Sequence, residues 1–95
     1  MMGQLHANFN RVLKHQLSPK VFQKQGFTFF FFSREEPRMH VHVSCANGDA
    51  KFWLEPRIEL AENYGLRSGQ IRTTYRLIEE NSDEITRRWQ DHFRS

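Results

Sequence analysis

Met39-His40-Val41-His42-Val43-Ser44-Cys45-Ala46-Asn47-Gly48-Asp49-Ala50-Lys51-Phe52-Trp53-Leu54-Glu55 carries more structural information than any other part of this 95-residue chain. Asn47-Gly48 is the strongest short-range signal for a two-residue type I′ turn, because both turn positions need positive φ. Counting outward from that turn sets Cys45 opposite Ala50, Val43 opposite Phe52 and Val41 opposite Leu54. The alternate pairs are Ser44 with Lys51, His42 with Trp53, and His40 with Glu55. One face is then apolar and the other polar or aromatic. A slip of one residue would set valine against lysine or glutamate and lose that sorting. The segment therefore reads as a β-hairpin.

Upstream of the hairpin, Gly26-Phe27-Thr28-Phe29-Phe30-Phe31-Phe32 alternates along a strand. Phe27, Phe29 and Phe31 point one way and Phe30 and Phe32 the other, which predicts a strand covered on both faces. Ser33-Arg34-Glu35-Glu36-Pro37 ends it, since proline cannot donate to a ladder. Further upstream, Leu5, Phe9, Val12 and Leu13 recur at helical spacing. Ser18-Pro19 reads as an N-cap and a first helical residue, opening a short helical turn through Val21 and Phe22 that Gly26 closes. Residues 1–25 are thus expected to form a basic, helical extension, and 26–95 a single α+β domain. An acid-free amphipathic start also fits a presequence or an interfacial anchor; a docked or partly disordered helix is the reading taken.

Downstream of Pro56, Ile58 and Leu60 alternate with charged residues, which predicts a short edge strand or an extended link, and Asn63-Tyr64-Gly65 a turn. Ser68 is placed to cap a helix with Ile71, Tyr75 and Ile78 inward and Leu77 beside them. Asn81 with Glu84 three residues on has the capping-box pattern. It opens a second helix anchored by Ile85, Trp89 and Phe93, with Asn81-Ser82-Asp83 as the joint. The expected fold is α+β: an antiparallel sheet of three to four strands around the Asn-Gly hairpin, both C-terminal helices on one face, and a helical N-terminal segment.

Composition narrows the function classes. Net charge is +3, with +4 in residues 1–26, −2 in 27–62 and +1 in 63–95. So mixed a surplus gives little support to nucleic-acid binding, which concentrates basic charge on one face. The single cysteine, Cys45, precludes an internal disulfide and suits the reducing cytoplasm. The longest apolar run is too short to span a bilayer. No cofactor motif is visible.

From Gly26 onward the chain resembles a group of small prokaryotic proteins catalogued as domain of unknown function forty-one sixty. The likeness is carried by Gly26-Phe27-Thr28-Phe29-Phe30-Phe31-Phe32-Ser33 and by Arg34-Glu35-Glu36-Pro37-Arg38-Met39-His40-Val41-His42-Val43. It continues in Ala50-Lys51-Phe52-Trp53-Leu54-Glu55-Pro56, in Asn63-Tyr64-Gly65, and in Trp89, His92 and Phe93. Members usually carry a second proline before the first histidine, where this chain has Arg38-Met39. The resemblance implies no chemistry, but it does imply a place in small two-gene modules of the toxin–antitoxin kind, and with it a protein partner.

The candidate site is the polar face of the hairpin: His40, His42, Trp53 and Glu55, with Lys51 and Ser44 nearer the turn. Histidines at i and i+2 on a strand project to one side, about 7 Å apart at Cα. That spacing suits a shared metal if Glu55 supplies a third ligand. The same set could serve as a general acid–base, with Glu55 orienting His40 and Lys51 or Arg34 holding a phosphate. That is the minimum for a metal-independent ribonuclease. The structural alternative makes His40, His42, Trp53 and Glu55 ordinary cross-strand pairs beneath a helix, worth roughly 0.2–1 kcal/mol each.

Glu36 and Arg38 belong to a charged run read as a docking or solvated loop. Trp89 and Phe93 read as core anchors and His92 as a solvated side chain near a helix end. Arg67, Arg72 and Arg76 invite a helix-turn-helix reading, but Glu79, Glu80, Asp83 and Glu84 beyond them would repel DNA. The expectation is a small binding module acting through a protein partner or a second copy of itself. RNA cleavage by His40 and His42, or metal binding by the same pair, stands as the alternative.

Overall fold

The structure, a computed structural model, describes residues 20–32 and 37–93. Five antiparallel strands follow one another in space as they do in sequence. They are β1 (Lys20–Lys24), β2 (Phe27–Phe30), β3 (His40–Cys45), β4 (Gly48–Trp53) and β5 (Glu59–Tyr64). Among the described residues two helices follow the strands, α1 (Ser68–Glu80) and α2 (Ser82–Phe93). The sheet is a meander, every neighbour pair local in sequence, so each strand pairs with little loop to close.

The strand count corrects the expected three to four, and the difference lies first at β1. Lys20-Val21-Phe22-Gln23-Lys24 forms a strand where a helical turn was expected. Gln25 and Gly26 both take positive φ, 54° and 83°, as a two-residue primed turn requires. That turn folds β1 onto β2 and stacks Phe22 on Phe29 with ring centroids 4.4 Å apart. Ring burial across the pair outweighs the capping signal of Ser18-Pro19. The helical expectation for residues before Lys20 lies outside the described residues.

The central hairpin forms, but with its bend one residue earlier. Cys45 pairs with Gly48, so Ala46 and Asn47 make the turn. The pairs are His40 with Trp53, Val41 with Phe52, His42 with Lys51, Val43 with Ala50, and Ser44 with Asp49. Moving the bend by one position shifts every pair by two residues along one strand. An even shift keeps each side chain on its face. Valines still meet apolar partners, and the expected pairs His40–Glu55 and His42–Trp53 are replaced. The cause is Gly48, whose positive φ of 157° is used after the bend, where β5 passes close by. A Cβ there would overlap the carbonyl oxygen of Tyr64. Asn47 needs no positive φ, and none is adopted.

The core lies between the sheet and the helices. Phe29, Phe31, Val41, Val43 and Phe52 are fully buried on the sheet side, and Ile78 and Ile85 on the helix side. At about 25 cal/mol per Å² of apolar surface removed from water, rings of this size dominate the driving force. On α1 the buried residues are Thr74, Leu77 and Ile78, with Ile71 partly buried. Tyr75, expected inward, is 39% exposed and only reaches Phe52 ring to ring at 6.5 Å. Thr74 takes the inward position by returning its hydroxyl to the Ile71 carbonyl at 2.9 Å.

Asn81 alone joins the helices. Its N–H donates to the Leu77 and Ile78 carbonyls, and its own carbonyl accepts from Ile85. Its side chain does not form the expected capping box. The amide nitrogen donates to Leu77 O at 2.7 Å, and the amide oxygen accepts from Lys24 Nζ at 3.1 Å. The joint is thus bonded to β1. Ser68 begins α1 rather than capping it, and Gln70 Oε1 accepts from the N–H of Arg67 at 2.8 Å.

Candidate functional site

Strand alternation puts His40, His42, Ser44, Asp49, Lys51 and Trp53 on the face opposite Val41, Val43, Ala50 and Phe52. Phe30 and Phe32 extend that face across β2. The His42 ring lies 4.2 Å from the Phe32 ring and 5.5 Å from the Phe30 ring. The aromatic character expected of the face is therefore present, and it continues through His40. The His40 ring centroid is 5.1 Å from His42, 5.6 Å from Trp53 and 5.2 Å from Trp89 of α2.

His40 is wholly buried. Its Nδ1 lies 2.6 Å from the Arg38 carbonyl oxygen, a separation that requires Nδ1 to carry the hydrogen. A neutral ring so held keeps Nε2 as its acceptor, the tautomer that a base or a metal ligand needs. The ring is enclosed by aromatic side chains, however, and a substrate has no access to it in this conformation. Lys51 and Asp49 are 8% and 7% exposed, so the face is covered there as well.

Glu55 does not pair with His40. Its Oε2 accepts from the N–H of Met39 at 3.1 Å, and its carbonyl accepts from Arg38 Nε at 3.0 Å. With Leu54 N–H donating to Met39 O, these bonds extend the β3–β4 hairpin past its last ladder pair. The Glu55-Pro56 peptide bond is cis. Glu55 thus braces the ends of the strands.

Trp53, half-buried, gathers two cations of the face, one exposed and one buried. The Arg38 guanidinium lies 4.1 Å from the indole centroid and the Lys51 ammonium 4.4 Å. Contacts of this kind contribute about 0.5–1 kcal/mol at exposed sites and more when desolvated. Arg38 Nη2 also stands 3.9 Å from Glu59 Oε1, a half-exposed pair of little energetic weight. Arg34 and Glu36 lie outside the described residues. Ser44 is half-buried opposite Asp49 and paired with Thr28 across β2–β3. Among the described residues no three His, Cys, Asp or Glu side chains come together as a metal-binding group, and His40, His42 and Glu55 do not assemble as one.

On the other side of Trp89 from His40, Phe31 meets the rings of Trp89, Phe93 and His92 at 5.3, 6.1 and 6.3 Å. Trp89 and Phe93 anchor α2 as expected. His92, expected in solvent, is half-buried against Phe93 at 4.4 Å. Sequence reasoning also missed the exposed group around β5. Leu60 is 40% exposed, Tyr64 55% and Tyr75 39%. The signal was present in the alternation of Glu59-Leu60-Ala61-Glu62, which marks an edge strand without marking a surface.

No helix among the described residues is long and apolar enough to cross a membrane. Neither the curated proteins nor the solved structures offer a match to the chain. A family model described as Domain of unknown function (DUF4160) matches residues 26–90, from Gly26 in the β1–β2 turn through Gln90 in α2. That span takes in four of the five strands and nearly all of the helical layer, and the chain belongs to this family.

Proposed function

We propose that this chain is a small binding module that works through a partner protein in a two-gene pair of the toxin–antitoxin kind. The observation that supports it is the exposure of Leu60, Tyr64 and Tyr75 on and beside the outermost strand. Large apolar side chains left in water on the two faces of one sheet edge mark an edge that another protein covers. The family resemblance supplies the two-gene setting. Catalysis by His40 and His42 has less support. The first imidazole is enclosed, the Glu55 carboxylate is engaged with Met39 N–H, and no accessible acid–base pair results.

Coexpression with the products of the two flanking genes tests the reading. Stoichiometric copurification with one of them is expected, and that product should relieve any growth defect the chain causes alone. A chain that purifies as a monomer from both coexpressions would count decisively against a partner. Relief of growth by His42→Ala in a folded variant would instead favour the RNA-cleaving alternative.

A further inference from the structure

Among the described residues β5 hydrogen-bonds only to β4, so its other side ends the sheet. Five of its six residues are exposed and Ala61 is half-buried. An edge of this kind presents unpaired N–H and C=O groups and serves as a template for a further strand. The opposite edge, β1, carries Lys20 and Lys24, the positive charge with which edge strands discourage pairing. β5 has no base. Its guards are two exposed glutamates, Glu59 and Glu62, and the irregularity between its pairing with Lys51 and with Phe52, which leaves Ala61 unmatched.

Register assigns the two faces of this edge. Leu60 pairs with Phe52 and so lies on the helix side, where Tyr75 of α1 also reaches Phe52. Glu59 pairs with Trp53 and Glu62 with Lys51, so both carboxylates lie on the other side, along with Tyr64 opposite Asp49. An added strand would meet an apolar step at Leu60 and Tyr75 on one face. On the other it would meet the half-exposed Glu59 carboxylate, 3.9 Å from Arg38 Nη2, and the exposed Glu62, whose cross-strand base Lys51 is buried toward Trp53. We infer that β5 accepts an extended segment of the partner in which apolar residues alternate with basic ones. This rests on the binding-module reading and names its surface and the chemistry of its ligand. A second copy of β5 is the poorer occupant, because it brings two glutamates toward two glutamates.

Blocked octapeptides of alternating lysine and valine, and of alternating glutamate and valine, test the inference by fluorescence anisotropy and amide exchange. The lysine peptide should bind saturably, at least tenfold tighter than the glutamate peptide, and slow exchange selectively in Glu59–Tyr64. The double variant Glu59→Lys, Glu62→Lys should invert the preference, and Leu60→Ser should weaken the lysine peptide severalfold. Equal affinities, a preference unmoved by the charge reversal, or protection away from β5 would overturn it. So would self-association of the chain that the same reversal abolishes. If a flanking gene product still copurifies with the double variant at parental yield, the β5 assignment falls while the binding module stands. If no flanking product copurifies with the parent chain, the binding module falls instead.

Discussion

The rings of His40 and Trp89 meet edge to face, 5.2 Å between centroids and 63° between planes, although one belongs to the first residue of β3 and the other to α2. Trp89 also stands edge-on to Phe31 at 5.3 Å. A single indole therefore ties β3 and the residue that follows β2 to the helical layer. Aromatic pairs in such geometry contribute about 0.5–1.5 kcal/mol beyond the area they bury. A double-mutant cycle of His40→Ala with Trp89→Leu, followed by urea unfolding, should return a coupling energy of about that size. Strict additivity would mean that the contact stabilises nothing.

His40 and His42 should separate in stability measurements. His40 is wholly enclosed and hydrogen-bonded to Arg38 O, so His40→Ala loses packing and a part-buried hydrogen bond. A cost of about 2–4 kcal/mol is expected. His42 is half-buried against Phe30 and Phe32, and His42→Ala should cost about 1 kcal/mol or less. Unfolding midpoints with unchanged m-values provide the check. The order of the two midpoints also decides which variant is usable in growth assays, since a His40→Ala phenotype would report folding.

The architecture was legible where periodicity and burial agreed. Val41, Val43 and Phe52 are core residues because alternation places them on one face, and that inference survives any even shift of register. The cross-strand partners depended on where the bend lies, and Asn47-Gly48 misled there. Asn-Gly signals a need for positive φ; at Gly48 the need comes from the approach of Tyr64, a contact between distant positions that no local pattern encodes. β1 was missed because Ser18-Pro19 resembles a helix start, while the stacking of Phe22 on Phe29 is settled only once the strands pair. Of the candidate site, the shared face of His40, His42, Lys51 and Trp53 was legible. The enclosure of His40 and the engagement of Glu55 with Met39 N–H were not, since both depend on tertiary packing.

Gly48 and Gly65 are packed against each other where β5 leaves the sheet. Besides the overlap that a Cβ on Gly48 would make with Tyr64 O, a Cβ on Gly65 would lie 2.5 Å from Asn47 O. Backbone, not a flexible side chain, blocks both. Gly48→Ala and Gly65→Ala should each destabilise by at least about 2 kcal/mol, the φ penalty adding to the clash. Gly69, in the first turn of α1, meets nothing nearer than Arg72 Nη2 at 3.7 Å. Gly69→Ala should stabilise by about 0.5–1 kcal/mol through a lower unfolded-state entropy. Thermal unfolding of the three variants checks the sign of each.

Asn81 should act as a strut as well as a joint. Its amide bonds Leu77 O within the preceding turn and Lys24 Nζ across to β1. Asn81→Ala removes both, at a cost of about 1 kcal/mol, while Asn81→Asp keeps the lysine contact and gives up the donor to Leu77 O. Amide exchange at the end of α1 should quicken in both variants. Lys24→Met should leave that exchange near parental rates, because the Asn81 to Leu77 bond lies within the helix layer. Quickening in Asn81→Ala and Lys24→Met but not in Asn81→Asp would mean that the tie to β1 holds the joint.

Arg38 connects three features of the accessible face, so its conservative replacement is informative. Its guanidinium covers the Trp53 indole, its Nε donates to Glu55 O, and its Nη2 stands near Glu59. Arg38→Lys keeps the charge but loses the planar fork that serves the ring and the carbonyl together. The exposed ion pair contributes little, so the loss comes from the stacking and the carbonyl bond, about 1–2 kcal/mol in sum. Arg38→Lys and Arg38→Ala should therefore unfold at nearly the same urea concentration, with a salt dependence close to that of the parent. A lysine variant as stable as the parent would assign Arg38 a purely electrostatic role. The Trp53 face would then be a charge pair with Glu59 rather than a stacked platform.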